Sequence, residues 1–332
     1  MRFATSLGSK DVLKSIVVRV TLHDGSFGLG ECPTSLAFAN ETIPVIWTRL
    51  TEWTPRFVGT SAGEWKERIA QLRRDNQAYP MAISGLEIAL FRAWLTATGL
   101  SEHSYWGGKS KKIETDITIP FIPGNPALFR WIDYAAKKRF TIYKIKVSGD
   151  LTEDKRFISI LWRTLEEKTP DFTVRLDGNQ GYTSHSFLRM VDYLQKKAYK
   201  LELFEQPLPK GDYRGLAEIK KHSPIPVVLD ETVETEEQMK KAVDMDLCHG
   251  VNIKIAKSGI QESYNIMRIA RESGLKLMIG CMTETMVGLS AGICLAAGSD
   301  AFDYIDLDGI HFLHHRNRYG ALEIQGPMFV IG

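Results

Sequence analysis

The sequence predicts an α/β protein: a parallel (β/α) barrel of TIM type, with an N-terminal α+β capping domain and a C-terminal segment that returns to the cap. Three observations carry that prediction. From Asp116 onward, short apolar runs alternate with amphipathic helical stretches, and the candidate strands end near Pro120, Lys146, Asp177, Glu205, Asp230, Lys254, Gly280 and Asp306. Those ends lie 24 to 31 residues apart, which each time leaves room for one strand, one helix and two loops. Ahead of them, strands and helices come in separate blocks rather than in alternation. Eight βα units without a break in period are the pattern of a closed barrel, whose reactive side chains gather at the C-terminal strand ends. A doubly wound open sheet would usually carry a GxGxxG turn after its first strand, and Ile119-Pro120-Phe121-Ile122-Pro123-Gly124 is not one.

The elements follow in order. Ser15-Ile16-Val17-Val18-Arg19-Val20 is β-branched, His23-Asp24-Gly25 is a turn, and Phe27 to Glu31 returns, so this region reads as a hairpin. Between Thr42 and Leu100 the apolar residues take helical spacing in three stretches. Trp47, Leu50 and Trp53 mark the first, Ile69 and Leu72 the second, and Ile83, Leu86, Ile88, Leu90, Phe91 and Trp94 the third, which Gly99 stops. Residues 1–105 are therefore expected to form the cap, 106–308 the barrel, and 309–332 a segment packing back on the cap.

Composition narrows the function. The 332 residues are 44% apolar, enough for a large core. With 42 basic against 40 acidic residues the net charge is only +2, too balanced for a nucleic-acid or anionic-surface binder. Cysteines 32, 248, 281 and 294 show neither a CxxC pair nor a framework spacing, which fits reduced thiols in the cytoplasm, and Cys32 and Cys281 are candidates to line the site. No signal peptide or membrane-length apolar run is present, and the expected location is cytoplasmic.

The chemistry starts at Ile142-Tyr143-Lys144-Ile145-Lys146-Val147. Alternation sends Lys144 and Lys146 to one face and Tyr143, Ile145 and Val147 to the other. Two buried ammonium groups side by side need acids opposite them. Asp177, Glu205 and Asp230 close the next three strands, each after a short apolar run. Three carboxylates at one rim repel one another unless a cation sits among them, and their oxygens suit Mg²⁺ better than zinc, which would call for His or Cys. The plainer role, acids capping the helices that follow, suits Glu202 and Glu231 better. The histidines show no metal spacing with a carboxylate, and surface or cap roles are expected for His23, His249, His311, His314 and His315. Lys254 ends Val251-Asn252-Ile253-Lys254 on the sixth strand, opposite the second, which carries Lys146. Repulsion from Lys144 and a nearby dication are expected to lower the pKa of Lys146. Two lysines flanking a metal-held carboxylate are placed to remove a proton α to it and return one on the other face.

These residues resemble the enolase superfamily, in its muconate lactonizing enzyme subgroup, and within that the dipeptide epimerases. Lys144-Ile145-Lys146 matches the subgroup's KxK, Asp177-Gly178-Asn179-Gln180-Gly181 resembles its DANxG, and Phe204-Glu205-Gln206-Pro207-Leu208 its EQP. The resemblance implies that Lys146 and Lys254 are the acid/base pair with Lys144 as electrostatic support. It implies that Asp177, Glu205 and Asp230 hold one Mg²⁺ per subunit, with Mn²⁺ as a substitute, and that the reaction passes through an enediolate. Ile305-Asp306-Leu307-Asp308-Gly309 resembles the DxD with which the dipeptide epimerases hold a substrate's amino group. Asp306 and Asp308 alternate to one face, as two acids meeting one ammonium should. Gly280-Cys281-Met282-Thr283-Glu284 resembles the pocket-lining segment of the seventh strand, which makes Cys281, Met282 and Glu284 candidates for substrate contact.

The implied function is a Mg-dependent dipeptide epimerase, with N-acylamino acid racemase, o-succinylbenzoate synthase and cycloisomerase as alternatives on the same site. Members of the family usually carry another cap strand before the residues matching Phe3, so the cap sheet is expected to be one strand short, with a partner subunit of a homo-oligomer over its edge. Loops that cover the substrate are expected near residues 3–10 and 34–39. The arginine that pairs with a glutamate substrate in Ala-Glu epimerases falls on Gly8 or Lys10 here; Lys10 would hold an acidic side chain, Gly8 would not.

Overall fold

The computed structural model describes residues 3–5, 8–10, 12–314 and 319–332. The cap starts with two antiparallel hairpins, β1 (Phe3–Thr5) with β2 (Gly8–Lys10), and β3 (Ser15–Thr21) with β4 (Phe27–Pro33). Residues 3–10, expected as a loop, are therefore paired strands in part; Gly8 sits at φ 136, where only glycine enters the second strand cheaply. The cap sheet proper, β3 and β4, has two strands.

Three helices follow: α1 (Ile43–Trp53), α2 (Trp65–Asp75) and α3 (Pro80–Thr98). Leu50, Trp53, Ile69 and Leu72 are buried as their spacing predicts, but Trp47 is 64% exposed, outside the stripe that Ile46 and Leu50 turn inward. Helix α3 starts with proline at its first position. Glu41 caps it, accepting the N–H groups of Met81 and Ala82 at 2.9 Å each, and Gly99 ends it in the left-handed region. Strand β4 lies directly on this helix, and a Cβ at Gly30 would collide with the carbonyl oxygen of Gly85.

A short helix α4 (Glu102–Tyr105) and strand β5 (Lys112–Glu114) lead to the barrel. Its strands are β6 (Ile117–Ile119), β7 (Ile142–Lys146), β8 (Thr173–Asp177), β9 (Leu201–Glu205), β10 (Val227–Leu229), β11 (Gly250–Lys254), β12 (Lys276–Gly280) and β13 (Tyr304–Asp306). The intervening helices are α5 (Pro126–Lys137), α6 (Leu151–Lys168), α7 (Ser184–Lys196), α8 (Tyr213–His222), α9 (Glu236–Asp244), α10 (Ile255–Glu272) and α11 (Met286–Ser299). All eight strands run parallel in sequence order. The seam between β6 and β13 is closed not by a ladder but by single bonds: Asp116 N–H to Ile305 O at 3.3 Å, Leu307 N–H to Thr115 Oγ1 at 2.7 Å, and Thr118 N–H to Asp308 Oδ2 at 2.5 Å. After the barrel, β14 (Leu322–Gln325) and β15 (Met328–Ile331) pair antiparallel with each other, and β15 pairs with β5.

Alternation decides what the barrel encloses. Ile117, Ile119, Tyr143, Ile145, Val174, Leu176, Val251 and Ile253 point outward into the helix layer and form the main core. Inward, Leu203, Val228 and Met278 form a small apolar cluster with Tyr304 against it. The same interior holds Asp116, Lys144, Arg175 and Asp306, all buried. An interior this polar on the β6–β8 and β13 side is stable only because its charges are paired.

Cap and barrel are joined through buried charge. Glu31 of β4 accepts the Thr285 hydroxyl at 2.6 Å and the Gly288 N–H at 3.0 Å at the N-terminus of α11, where a carboxylate meets both free donors and the positive end of the helix. Arg92 of α3 donates to Val287 O at 2.6 Å and Ser290 Oγ at 2.7 Å. Replacing Glu31 with Ala strands these donors and should cost about 1–3 kcal/mol, read as a lower urea midpoint at unchanged slope. An unshifted midpoint would show that this joint contributes nothing. Among the described residues no helix is long and apolar enough to cross a membrane.

Candidate active site

An open cleft lies where the C-terminal strand ends meet the cap. Cap residues 34–38 form one wall, in keeping with the expected second cap loop, and Cys281, Met282 and Thr283 another. Its floor carries Lys144, Lys146, Asp230, Lys254, Asp306 and Asp308, so both predicted bases face one space from strands four apart in the barrel order. Glu284 stands behind this wall: it is buried, accepts the Met282 N–H at 3.0 Å, and is pushed up to about 8 by burial and by Glu31. Cys32, on β4, is buried with its thiol on Ala82 O and does not line the cleft. The side chain of Lys10 lies outside the described residues.

Each lysine has its own acid. Lys144 donates to Asp306 and lies 3.4 Å from Glu205; Lys146 donates to Asp177; Lys254 donates to Asp230 at 2.5 Å and lies 3.7 Å from Glu205. The acids that two buried ammonium groups call for are present: β8 supplies Asp177 to Lys146, and β13 supplies Asp306 to Lys144. Burial works against the charge on Lys254, but Asp230 and Glu205 outweigh it and raise its pKa; Lys144 is raised in the same way by Asp306 and Glu205. Burial would raise Asp230, yet Lys254 and Lys257 hold it well below the usual carboxylate range.

The family described as enolase C-terminal domain-like matches residues 130–330. The chain belongs to the enolase superfamily. An aromatic dipeptide epimerase from Herpetosiphon aurantiacus is 30% identical to it, with 92% of this chain and 85% of that protein covered. The structure of a mandelate racemase/muconate lactonizing protein from the same organism superposes with a TM-score of 0.93 at 28% identity, over 100% of this chain and 92% of the other. The substrate-liganded L-Ala-D/L-Glu epimerase of Bacillus subtilis gives 0.91 at 25% identity, over 100% and 92%.

For a superfamily member, the question at the strand ends is whether they suit a divalent cation. Asp177, Glu205 and Asp230 are buried at the ends of β8, β9 and just past β10, and Asp177 is directly opposite Glu205 in the register. Glu205 Oε1 accepts the Asn252 amide at 2.7 Å, while its Oε2 is buried without a hydrogen bond. Such an acceptor set, all oxygen and all acidic, fits a hard dication. The three do not form the tightest acidic group, however. Among the described residues, the trio with oxygens within 4.8 Å of one another is Asp116, Asp306 and Asp308. Lys146 engages Asp177, while Lys254 and Lys257 engage Asp230.

Several site residues escaped sequence reasoning. Glu231, expected as a helix cap, lines the cleft instead; burial, then Asp230 and Asp177, push it up to about 8. Lys257 donates to Asp230 Oδ1 at 2.6 Å from the first turn after β11, and its signal was its place three residues after Lys254. Gln206 braces the loop past β9, donating to Leu208 O and Thr232 Oγ1 at 2.8 Å and accepting the Asp230 N–H at 2.9 Å. It sits at φ 31, as Asn179 does at φ 38, and such strained backbone clusters where side chains must be aimed. His311, expected at the surface or cap, is buried with its ring edge-on to Phe140.

Proposed function

We propose that this enolase-superfamily protein is a dipeptide epimerase, which inverts the α-carbon of the C-terminal residue of an unblocked dipeptide by proton transfer between Lys146 and Lys254. The observation that carries this reading is the pair of lysines facing one cleft from β7 and β11, with the acidic pair Asp306 and Asp308 lining the same cleft. The names of the relatives support it: the aromatic dipeptide epimerase and the L-Ala-D/L-Glu epimerase both act on dipeptides by their printed names.

In this mechanism one lysine enters as a free amine and takes the α-proton, and the other enters as an ammonium and delivers a proton to the opposite face. Reversal of the roles converts the other epimer. Asp177, Glu205 and Asp230 would hold one Mg²⁺ per subunit, with Mn²⁺ as a substitute. When bound, the cation supplies charge neutralisation to the substrate carboxylate as its α-proton leaves. Lys144, fixed by Asp306, adds positive charge from the floor of the site without moving a proton. Asp306 and Asp308 bind the substrate's α-ammonium, and Cys281, Met282 and the cap residues wall the cleft. Incubating the protein with a dipeptide library in D₂O should place deuterium at the α-carbon of the C-terminal residue, read by mass spectrometry. Absence of exchange across the library would end this reading.

The acidic pair sets a second expectation. Asp306 Oδ1 is buried with no hydrogen-bond partner, although Oδ2 is held by Lys144. Leaving such an acceptor unpaired is costly, and an N-acylated substrate brings no cation to it. A free dipeptide should therefore surpass its N-acetyl form in kcat/KM. Asp306→Asn should narrow the gap by about the 1.5–3 kcal/mol of a charged hydrogen bond. Equal turnover of both forms by the unmodified protein would favour an N-acylamino acid racemase instead.

A further inference from the structure

The two lysines of the cleft are held in place by different parts of the molecule. The turn after Lys146 is braced from within the barrel: Asp154 of α6 accepts the Ser148 N–H at 2.8 Å and the Gly149 N–H at 2.9 Å. The turn after Lys254 is instead met by the cap. Ser84 of α3, fully buried, donates its hydroxyl to Ile255 O at 2.5 Å, on the residue next to Lys254 in the chain. One turn further along the same face of α3, the buried Glu87 accepts the Gln261 N–H at 2.9 Å through Oε1 and the Arg73 guanidinium at 3.0 Å through Oε2. Helix α10 allows this approach because it breaks at Gly259, which sits at φ 75, and a Cβ there would run into the Glu87 carboxylate. Met81, one turn before Ser84, shares an apolar cluster with Phe38 and with Ala256, which lies just past Lys254.

One cap helix thus grips residues 255–261 at a carbonyl, at an apolar side chain and at an N–H. Glu87 meets a free N–H at the start of the helix that resumes after Gly259, where a carboxylate is favoured. These contacts fix the backbone from which Lys254 projects, whereas its ammonium rests on Asp230. A base displaced by about 1 Å from the proton it takes can lose about a hundredfold in rate. We propose that Ser84 and Glu87 are positioning residues for Lys254: the cap, through α3, aims this one base, while the barrel aims Lys146. Neither Ser84 nor Glu87 lines the cleft, so both act through the backbone of the turn rather than by touching the substrate. This inference rests on the epimerase reading, and it adds that the two faces of the α-carbon are served by separately supported bases.

Each base takes the α-proton of only one C-terminal epimer, so the ratio of α-deuterium wash-in from the two epimers reports on the bases separately. Initial wash-in in D₂O would be measured for L-Ala-L-Leu and L-Ala-D-Leu, or for the epimer pair that a dipeptide library shows to be labelled fastest. The proteins compared are the unmodified chain, Ser84→Ala, Glu87→Ala, Lys254→Ala and Lys146→Ala. Ser84→Ala and Glu87→Ala should each slow, on the order of tenfold, the epimer that Lys254→Ala slows, in kcat more than in KM, and leave the other nearly unchanged. A merely structural role would slow both epimers alike. An unchanged ratio, or one displaced in the direction of Lys146→Ala, overturns the proposal. Both rates come from one protein sample, so their ratio does not depend on the folded fraction; if Glu87→Ala fails to fold, Ser84→Ala decides. Amide hydrogen exchange in the same variants should be about tenfold faster across residues 255–261 and unchanged across 148–154. Wash-in from neither epimer by the unmodified protein would end the dipeptide reading, and amide exchange would then judge the grip by itself, with no acceleration across 255–261 overturning it.

Discussion

Lys146→Ala and Lys254→Ala should each lose about 10²–10⁴-fold or more in turnover, the range of a positioned acid or base, with substrate affinity changed far less. The two variants should also differ from each other. Lys254→Ala leaves Asp230 with Lys257 as a remaining partner at 2.6 Å, so its fold should be nearly intact. Lys146→Ala removes the lysine that engages the buried Asp177, and a stability loss should accompany the loss of rate. Each variant should still exchange the α-proton of the one epimer whose proton the surviving lysine faces. Deuterium wash-in without inversion is thus the signature to seek. Near-normal epimerisation by Lys254→Ala would rule out two bases and leave a one-base reaction.

Chelation should produce the other large effect. Stripping divalent ions should reduce epimerisation to background, and adding Mg²⁺ or Mn²⁺ should restore it, because three acids at consecutive strand ends have nothing else to do with a substrate carboxylate but share a cation with it. A second readout is independent of rate. An ion bound only by the folded protein, at a hundred times its dissociation constant, stabilises it by about 2.7 kcal/mol, so the melting temperature should rise with Mg²⁺ and fail to rise in Asp230→Asn. Full activity in chelator would dismiss the assignment of Asp177, Glu205 and Asp230.

Much of this was legible because a parallel barrel repeats one rule eight times. Once Lys146, Asp177 and Glu205 are each read as the last residue of a strand, the period alone brings them to one rim, and β7, β8, β9, β11, β12 and β13 end where the sequence places them. Strands β6 and β10 end one residue early, at Ile119 and Leu229: Pro120 has no N–H to offer a ladder, and the Asp230 N–H goes to the side-chain oxygen of Gln206 instead of a neighbouring strand. What stayed hidden depends on strand stagger rather than on period. Asp116 precedes its strand and looks like a loop acid, and only the shear of the barrel carries it beside Asp306 on the last strand. Arg175, an inward residue of β8, has no local signal that its partner is 59 positions earlier. Trp47 shows the opposite failure, since helical spacing counts a large aromatic as core whichever side of the stripe it falls on.

The seam has a consequence for how the protein comes into being. The carboxylates at 177, 205 and 230 arrive on neighbouring strands, so a partly assembled sheet already brings them together. The contact of Thr118 with Asp308 joins residues 190 positions apart, and contacts of that span form late because the chain must first surrender the freedom of everything between them. The proposed subsite for the amino terminus, Asp306 and Asp308, is therefore assembled only when the last strand meets the first. On the proposed reading, a nascent chain lacking β13 would have the strands that hold the cation but not the acidic pair for the amino terminus, and a bound dipeptide would link β13 to those strands in the finished molecule.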